Sequence, residues 1–181
     1  MTTFRRTFCG LLALLISCNL FQGQAPTSVG NDSCRRFVQA FYDWYLPRAK
    51  KTRGTASNLV LKYRSTDLSL ELRKRLKEDS DAQARSRDLV GLDFDPFLNT
   101  QDDSFERCTV EHVFRKNSNY WAQVTCVFPG PNPSKAQIMP EVMPQGERWQ
   151  FVNFHYHDDS GDTDLLSILK DLQNERQPKK K

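Results

Sequence analysis

Apolar residues recur along this chain with two different periods. Cys34, Phe37, Val38, Phe41, Trp44 and Tyr45 are spaced by threes and fours, which places them on one face of an amphipathic helix. Asn31, Asp32 and Ser33 supply caps for its start. Pro47 is predicted to end it, because proline disfavours helical geometry at the preceding Leu46. From Asn58 to Asp88 the stripe is thin: Leu59, Leu68, Leu72 and Leu76 stand among many charges. That pattern predicts two short helices rather than one long one. A last helix, capped by Asp162 or Thr163, turns Leu165, Leu166, Leu169 and Leu172 inward.

Between these helical stretches the period falls to two. Cys108, Val110, His112 and Phe114 alternate with Thr109, Glu111, Val113 and Arg115. After the turn signal Asn117-Ser118-Asn119, the residues Tyr120, Ala122, Val124, Cys126 and Phe128 share the next apolar face. This predicts a hairpin with one buried face. One allowed register sets Val110 opposite Val124 and Cys108 opposite Cys126, close enough for a disulfide. Residues 129–146 contain five prolines and are predicted to form a long, flap-like connection. Glu147 to His157 is a third strand, with Trp149, Phe151, Asn153, His155 and His157 on one face. Gln150, Val152, Phe154 and Tyr156 lie on the other. Gly91 to Phe97 is a loop carrying three apolar anchors.

The N-terminus carries an address. Arg5 and Arg6 precede an apolar run from Phe8 to Ile16, followed by Ser17 and Cys18, the build of a bacterial export signal. The run is shorter than the ~20 residues a membrane-spanning helix needs. Leu15-Ile16-Ser17-Cys18 matches a lipobox, in which Cys18 is acylated and anchors the chain to a membrane. An ordinary secretory cut after Ala25 is the alternative. The predicted organisation is a signal peptide over 1–17, a flexible tether over 18–32, one domain over 33–174 and a basic tail over 175–181.

Charge then narrows the partners. Lys+Arg number 26 and Asp+Glu 22, and loss of Arg5 and Arg6 leaves 24 against 22. Without the tail the balance is 20 against 21. A near-neutral body of about 160 residues carries no nucleic-acid footprint, which needs a basic face. In an oxidising compartment Cys34, Cys108 and Cys126 form one bridge and leave one odd thiol.

The order of elements resembles the nuclear transport factor 2-like (cystatin-like) superfamily. The likeness rests on the opening helix from Phe37 to Tyr45 and the closing strand from Trp149 to Tyr156. More narrowly, Asp95-Pro96-Phe97-Leu98-Asn99 with Gln101-Asp102 resembles the bacterial domain of unknown function 3828 family. The resemblance runs from Ser33 to Leu172. It implies an α+β fold, with N-terminal helices packed on a curved, cone-shaped antiparallel sheet and a C-terminal helix. It also implies secreted proteins and lipoproteins, supplies no catalytic residues, and allows a homodimer through the sheet. The C-terminal lysine run departs from it.

Candidate chemistry is sparse. Tyr42, Trp44 and Tyr45 combine apolar bodies with polar tips, suited to lining a ligand pocket, with His112 at its mouth. His112 with Asp93 or Asp95 would form an acid–base pair. His155 and His157, on one side of a strand, are spaced to hold zinc or copper, completed by Asp158, Asp159 or His112. Each residue also has a plainer role: core packing, turn capping or a strand end meeting solvent. No cofactor motif is present. The expectation is an exported envelope protein, lipid-anchored at Cys18, that binds a small ligand or another envelope protein without catalysis. The alternative is a hydrolase or isomerase using the His/Asp pair. An immunity-like partner binding through the exposed sheet face is a third reading.

Overall fold

The computed structural model describes residues 27–51, 56–101, 105–130, 135–158 and 161–177. Cys18, the segment predicted to be an export signal and the lysine tail lie outside these residues. The chain is α+β, with helices α1 (Thr27–Ala49), α2 (Ala56–Tyr63) and α3 (Leu70–Arg85) ahead of a five-stranded antiparallel sheet. Its strands are β1 (Arg107–Lys116), β2 (Asn119–Val127), β3 (Lys135–Gln145), β4 (Arg148–Asp158) and β5 (Gly161–Asp164), in sequence order across the sheet. Helix α4 (Leu165–Glu175) closes the described chain.

Helix α1 differs from the sequence expectation at both ends. It begins at Thr27, inside the predicted tether, and Ser33 does not cap it: the Ser33 hydroxyl accepts from the Trp149 indole at 3.0 Å. It also runs through Pro47. The proline removes the bond to the carbonyl of Asp43, an exposed residue in the last turns, where losing one helical bond costs least. The stretch after Asn58 does divide into two helices, α2 and α3, and Ser69 caps α3 by accepting from Leu72 N. Helix α4 is capped by Asp164 rather than Asp162 or Thr163: Asp164 is the last residue of β5 and accepts from Ser167 N at 3.0 Å, while the other two lie further back in the strand, opposite His157 and Tyr156.

The hairpin β1–β2 has the expected register at its base, with Cys108 opposite Cys126 and Val110 opposite Val124. Glu111 is then bulged out, so Val113 turns inward and His112 and Phe114 turn outward, reversing their expected face. Helix α1 grips this bulge. Gln39 donates to Cys108 O at 3.0 Å and accepts from Val110 N at 2.9 Å, while the Arg35 guanidinium donates to Val110 O and Glu111 O. A second bulge at Val152 returns Phe154 and Tyr156 to the same side as Phe151.

Much of the proline-rich segment, Lys135–Gln145, is a central strand rather than a connection. Pro140 and Pro144 lie within β3, between β2 and β4. The β2–β3 ladder is interrupted between Trp121↔Glu141 and Val124↔Ile138, where Pro140 has no N–H to offer, and Pro144 lies beyond its last pair.

One hydrophobic core joins all four helices to one face of the sheet. Phe41, Phe97, Phe151 and Phe154 are fully buried within it. A disulfide joins Cys108 and Cys126 on that face, and Cys34 is a buried free thiol. Burial pushes the Cys34 thiol up to about 12, against the opposing pull of Arg35. Replacing Cys108 and Cys126 together by alanine is expected to lower the unfolding free energy by about 3 kcal/mol, read from urea titrations. In the same native protein Cys34 stays unalkylated near pH 8 (about half a unit below an ordinary thiol pKa) until the chain unfolds.

Candidate functional site

Three places collect the chemistry. The first is the turn following Phe94. Asp95 N donates to Thr100 O at 2.7 Å, and Asp95 Oδ1 accepts from Phe97 N at 2.8 Å. Asn99 adopts a positive φ of 50°, which asparagine tolerates, and lets the chain double back. Three tyrosine hydroxyls then hold the turn. Tyr45 donates to Asp95 Oδ2 at 2.6 Å, Tyr156 to Pro96 O at 2.7 Å and Tyr42 to Phe97 O at 3.0 Å. Tyr42 and Tyr45 are fully buried, and Phe97 packs between Phe41, Tyr45 and Phe154.

The phenolic pKa values follow. Burial raises Tyr42, Tyr45 and Tyr156 well above the usual range. The Asp95 charge raises Tyr42 and Tyr45 further; Tyr42 and then Asp95 do so for Tyr156. These tyrosines are hydrogen-bond donors to the protein's own backbone and carboxylate, so their polar tips face no ligand. His112 is exposed and outward on β1, on the side of the sheet away from this turn. Asp93 is exposed and accepts from Gln101 at 3.3 Å. The structure therefore does not bring His112, Asp93 and Asp95 together, nor His112 with Tyr42 and Tyr45.

The second place is the outer face of the sheet. Here Trp121 stacks on His155, ring centroids 4.1 Å apart, and Lys116 Nζ lies 4.3 Å from the indole centroid. His155 Nε2 meets Glu141 Oε2 at 3.0 Å, and Asn119 donates to Glu141 Oε1 at 2.6 Å. Phe114, opposite Trp121 in register, is 42% exposed, and Met139 and Met143 share the face, half-buried. His157 pairs separately with Asp162 at 2.7 Å. The two candidate metal ligands are thus each matched to a different carboxylate. Among the described residues no group of three or more His, Cys, Asp or Glu converges on one point. This outer cluster escaped sequence reading, because the bulges decide which residues face outward. Only the Lys/Phe/Trp/Met content of β1–β3 hinted at it.

The third place is a groove of about 440 Å3 between residues 89–94 and α4. Leu92, Phe94, Ile168 and Leu172 form its apolar surface, and Asp93 and Glu175 stand at its rim. Its wall is fixed by polar bonds. Gln83 accepts from Val90 N and Gly91 N, and buried Asp79 accepts from Leu92 N at 3.0 Å. Arg176 donates to Asp79 at 2.6 Å and to Val90 O at 3.0 Å. Gly91 is closely packed here: a β-carbon would lie 3.0 Å from Asp79 Oδ2 and 3.2 Å from Gln83 Cβ. Among the described residues no helix is long and apolar enough to cross a membrane. No protein-family model, curated protein or solved structure matches the chain.

Two outcomes test this description. Tyr45→Phe leaves the Asp95 carboxylate without its hydroxyl donor and is expected to cost about 1.5–3 kcal/mol, against about 1 for Tyr42→Phe, measured by chemical denaturation. Because the folded-state tyrosine pKa values are raised, their contribution is complete below about pH 10 and falls as pH rises beyond it. The alkaline loss should be smaller in Tyr45→Phe.

Asp164 gives the opposite sign. Burial would raise its pKa, but bonds from Asn153 and Ser167, with the nearby His155, hold it below the usual carboxylate value. Its contribution is complete above about pH 4 and is lost as pH falls through the lowered value. Unfolding titrations between about pH 5 and 2 should show wild type more stable than Asp164→Asn at the upper end, with the gap narrowing toward the lower end.

Proposed function

We propose that this chain is an exported envelope protein, lipid-anchored through Cys18, and a non-enzymatic binding module of cystatin-like, cone-shaped build. Its partner is another envelope protein, engaged through the outer face of the sheet around Trp121. The observation that carries the reading is the sealed turn at Asp95–Phe97. Tyr42 and Tyr45, which would have lined an inner pocket, donate inward as Tyr156 does, Phe97 packs among their rings and those of its neighbours, and the acid–base residues are apart. Recognition then belongs on the outside. There Phe114, Trp121, Met139 and Met143 supply the aromatic and methionine content typical of interface centres, beside polar His155, Glu141 and Asn119. The stretch Asp95-Pro96-Phe97-Leu98-Asn99 with Gln101-Asp102, which resembles the domain of unknown function 3828 family, supports the export reading.

Photocrosslinking in the native envelope tests it. A photoreactive residue at Phe114 is expected to give one discrete protein adduct, and the same probe at Leu70, 72% exposed on α3, none. Trp121→Ala should reduce the Phe114 adduct by roughly tenfold or more, as for a central anchor residue. Equal adducts from both probes, or none from Phe114, would exclude the sheet face as the docking surface. Mass spectrometry of the membrane-derived protein reports the anchor: an acylated N-terminal Cys18 is expected, and a chain beginning after Ala25 would overturn it.

A further inference from the structure

The groove between residues 89–94 and α4 has a charge signature that names its ligand class. Its volume of about 440 Å3 falls within the roughly 300–1,000 Å3 of small-molecule sites. Leu92, Phe94, Ile168 and Leu172 give it an apolar surface. The one cation that lines it, Arg176, is neutralised by Asp79 at 2.6 Å and also donates to Val90 O. Two carboxylates remain, Asp93 and Glu175, and no described cation pairs with either. Helix α4 also ends here, at Glu175, so the negative end of its dipole adds to theirs. The groove is therefore apolar along its length and negative at its rim.

We propose that this groove is a binding site for a small cationic amphiphile. The ammonium group sits at the Asp93 and Glu175 carboxylates, and the apolar body lies along Leu92, Ile168 and Leu172. The site is preformed, because the Asp79–Arg176 pair and the Gln83 carboxamide fix residues 90–92 before any ligand arrives. An anionic amphiphile of equal length meets two like charges and is rejected. This site is separate from the sheet face around Trp121 and stands whether or not that face binds a protein.

Isoleucine methyl NMR on the full chain tests the assignment. The sequence holds three isoleucines: Ile16 in the export signal, Ile138 buried in the core and Ile168 in the groove. The probes are decylamine, decanol and decanoate, each below its self-association concentration, at neutral pH. Decylamine is expected to shift the Ile168 methyl saturably and leave Ile138 unmoved. Decanol and then decanoate should bind more weakly, decanoate by about tenfold or more. The double variant Asp93→Asn, Glu175→Gln changes only exposed groups, and an unmoved Ile138 signal reports that it folds. It should bind decylamine no better than decanol. Equal shifts from decylamine and decanoate in wild type would overturn the proposal, as would no shift at Ile168. So would a preference for the amine that survives the double variant.

Discussion

Three tyrosine hydroxyls fasten one turn to two distant parts of the chain. Tyr42 and Tyr45 come from α1, Tyr156 from β4, and the turn at Asp95–Phe97 belongs to neither element. Each bond satisfies a polar group that burial would otherwise leave unpaired, at a cost of about 1–3 kcal/mol. The turn in return delivers Phe97, fully buried, into contact with rings from α1 and β4. Loosening one hydroxyl therefore acts on the helix, the loop and the sheet together. The same arrangement removes the tyrosines as ligand contacts, which is why the core and an inner binding pocket compete for one set of residues here.

The sheet's edge at β1 and the part of β4 that β5 leaves uncovered are tied down with the help of side-chain amides. At β1 the Gln39 carboxamide offers both a donor and an acceptor to the strand backbone, as a neighbouring strand would. Beside β4, Asn153 donates to Asp164 and accepts from Leu166 N, tying the strand to the start of α4, while Ser69 N donates to Phe151 O. These contacts coincide with the two bulges, at Glu111 and Val152. At Glu111 helix side chains grip the strand backbone, and at Val152 the backbone N–H of Ser69 and the strand's own Asn153 side chain hold it. At each, pairing shifts by one residue and every later side chain changes face. The outward placement of His112, Phe114 and His155 follows from that.

What the sequence disclosed and what it hid divide along the same line. The spacing from Cys34 to Tyr45 reflects geometry within single helical turns, so the apolar face of α1, though not its ends, was legible without any distant contact. The Cys108–Cys126 register needed only two adjacent strands and a turn between them. The bulge at Glu111 is held by Gln39, 71 positions from its partner Val110, and no local pattern announces it. Prolines argued against β3 as a strand, yet Pro140 sits at the gap in the β2–β3 ladder, a position visible only after the strands are paired. Tyr42 and Tyr45 were identifiable as buried aromatics with polar ends. The partner those ends meet, a turn some fifty residues on, was not. Only tertiary packing distinguishes a tyrosine facing a ligand from one facing its own backbone.

The Asp79–Arg176 pair carries this reasoning to the surface. Both groups are withdrawn from water, Asp79 to 4% exposure, and an ion pair so placed persists only with further hydrogen bonds. It has them, from Leu92 N to Asp79 and from Arg176 to Val90 O. Removing one partner would strand a buried charge, at about 3–5 kcal/mol, so the pair holds α3, α4 and the loop between them in one arrangement. That rigidity has a chemical result. The arginine that would have made the groove attractive to anions is committed to the wall, and the carboxylates outside the pair determine the sign of the opening. A structural ion pair thereby sets the selectivity of a surface it does not itself present, and a ligand entering it avoids the ordering cost that a mobile loop would impose.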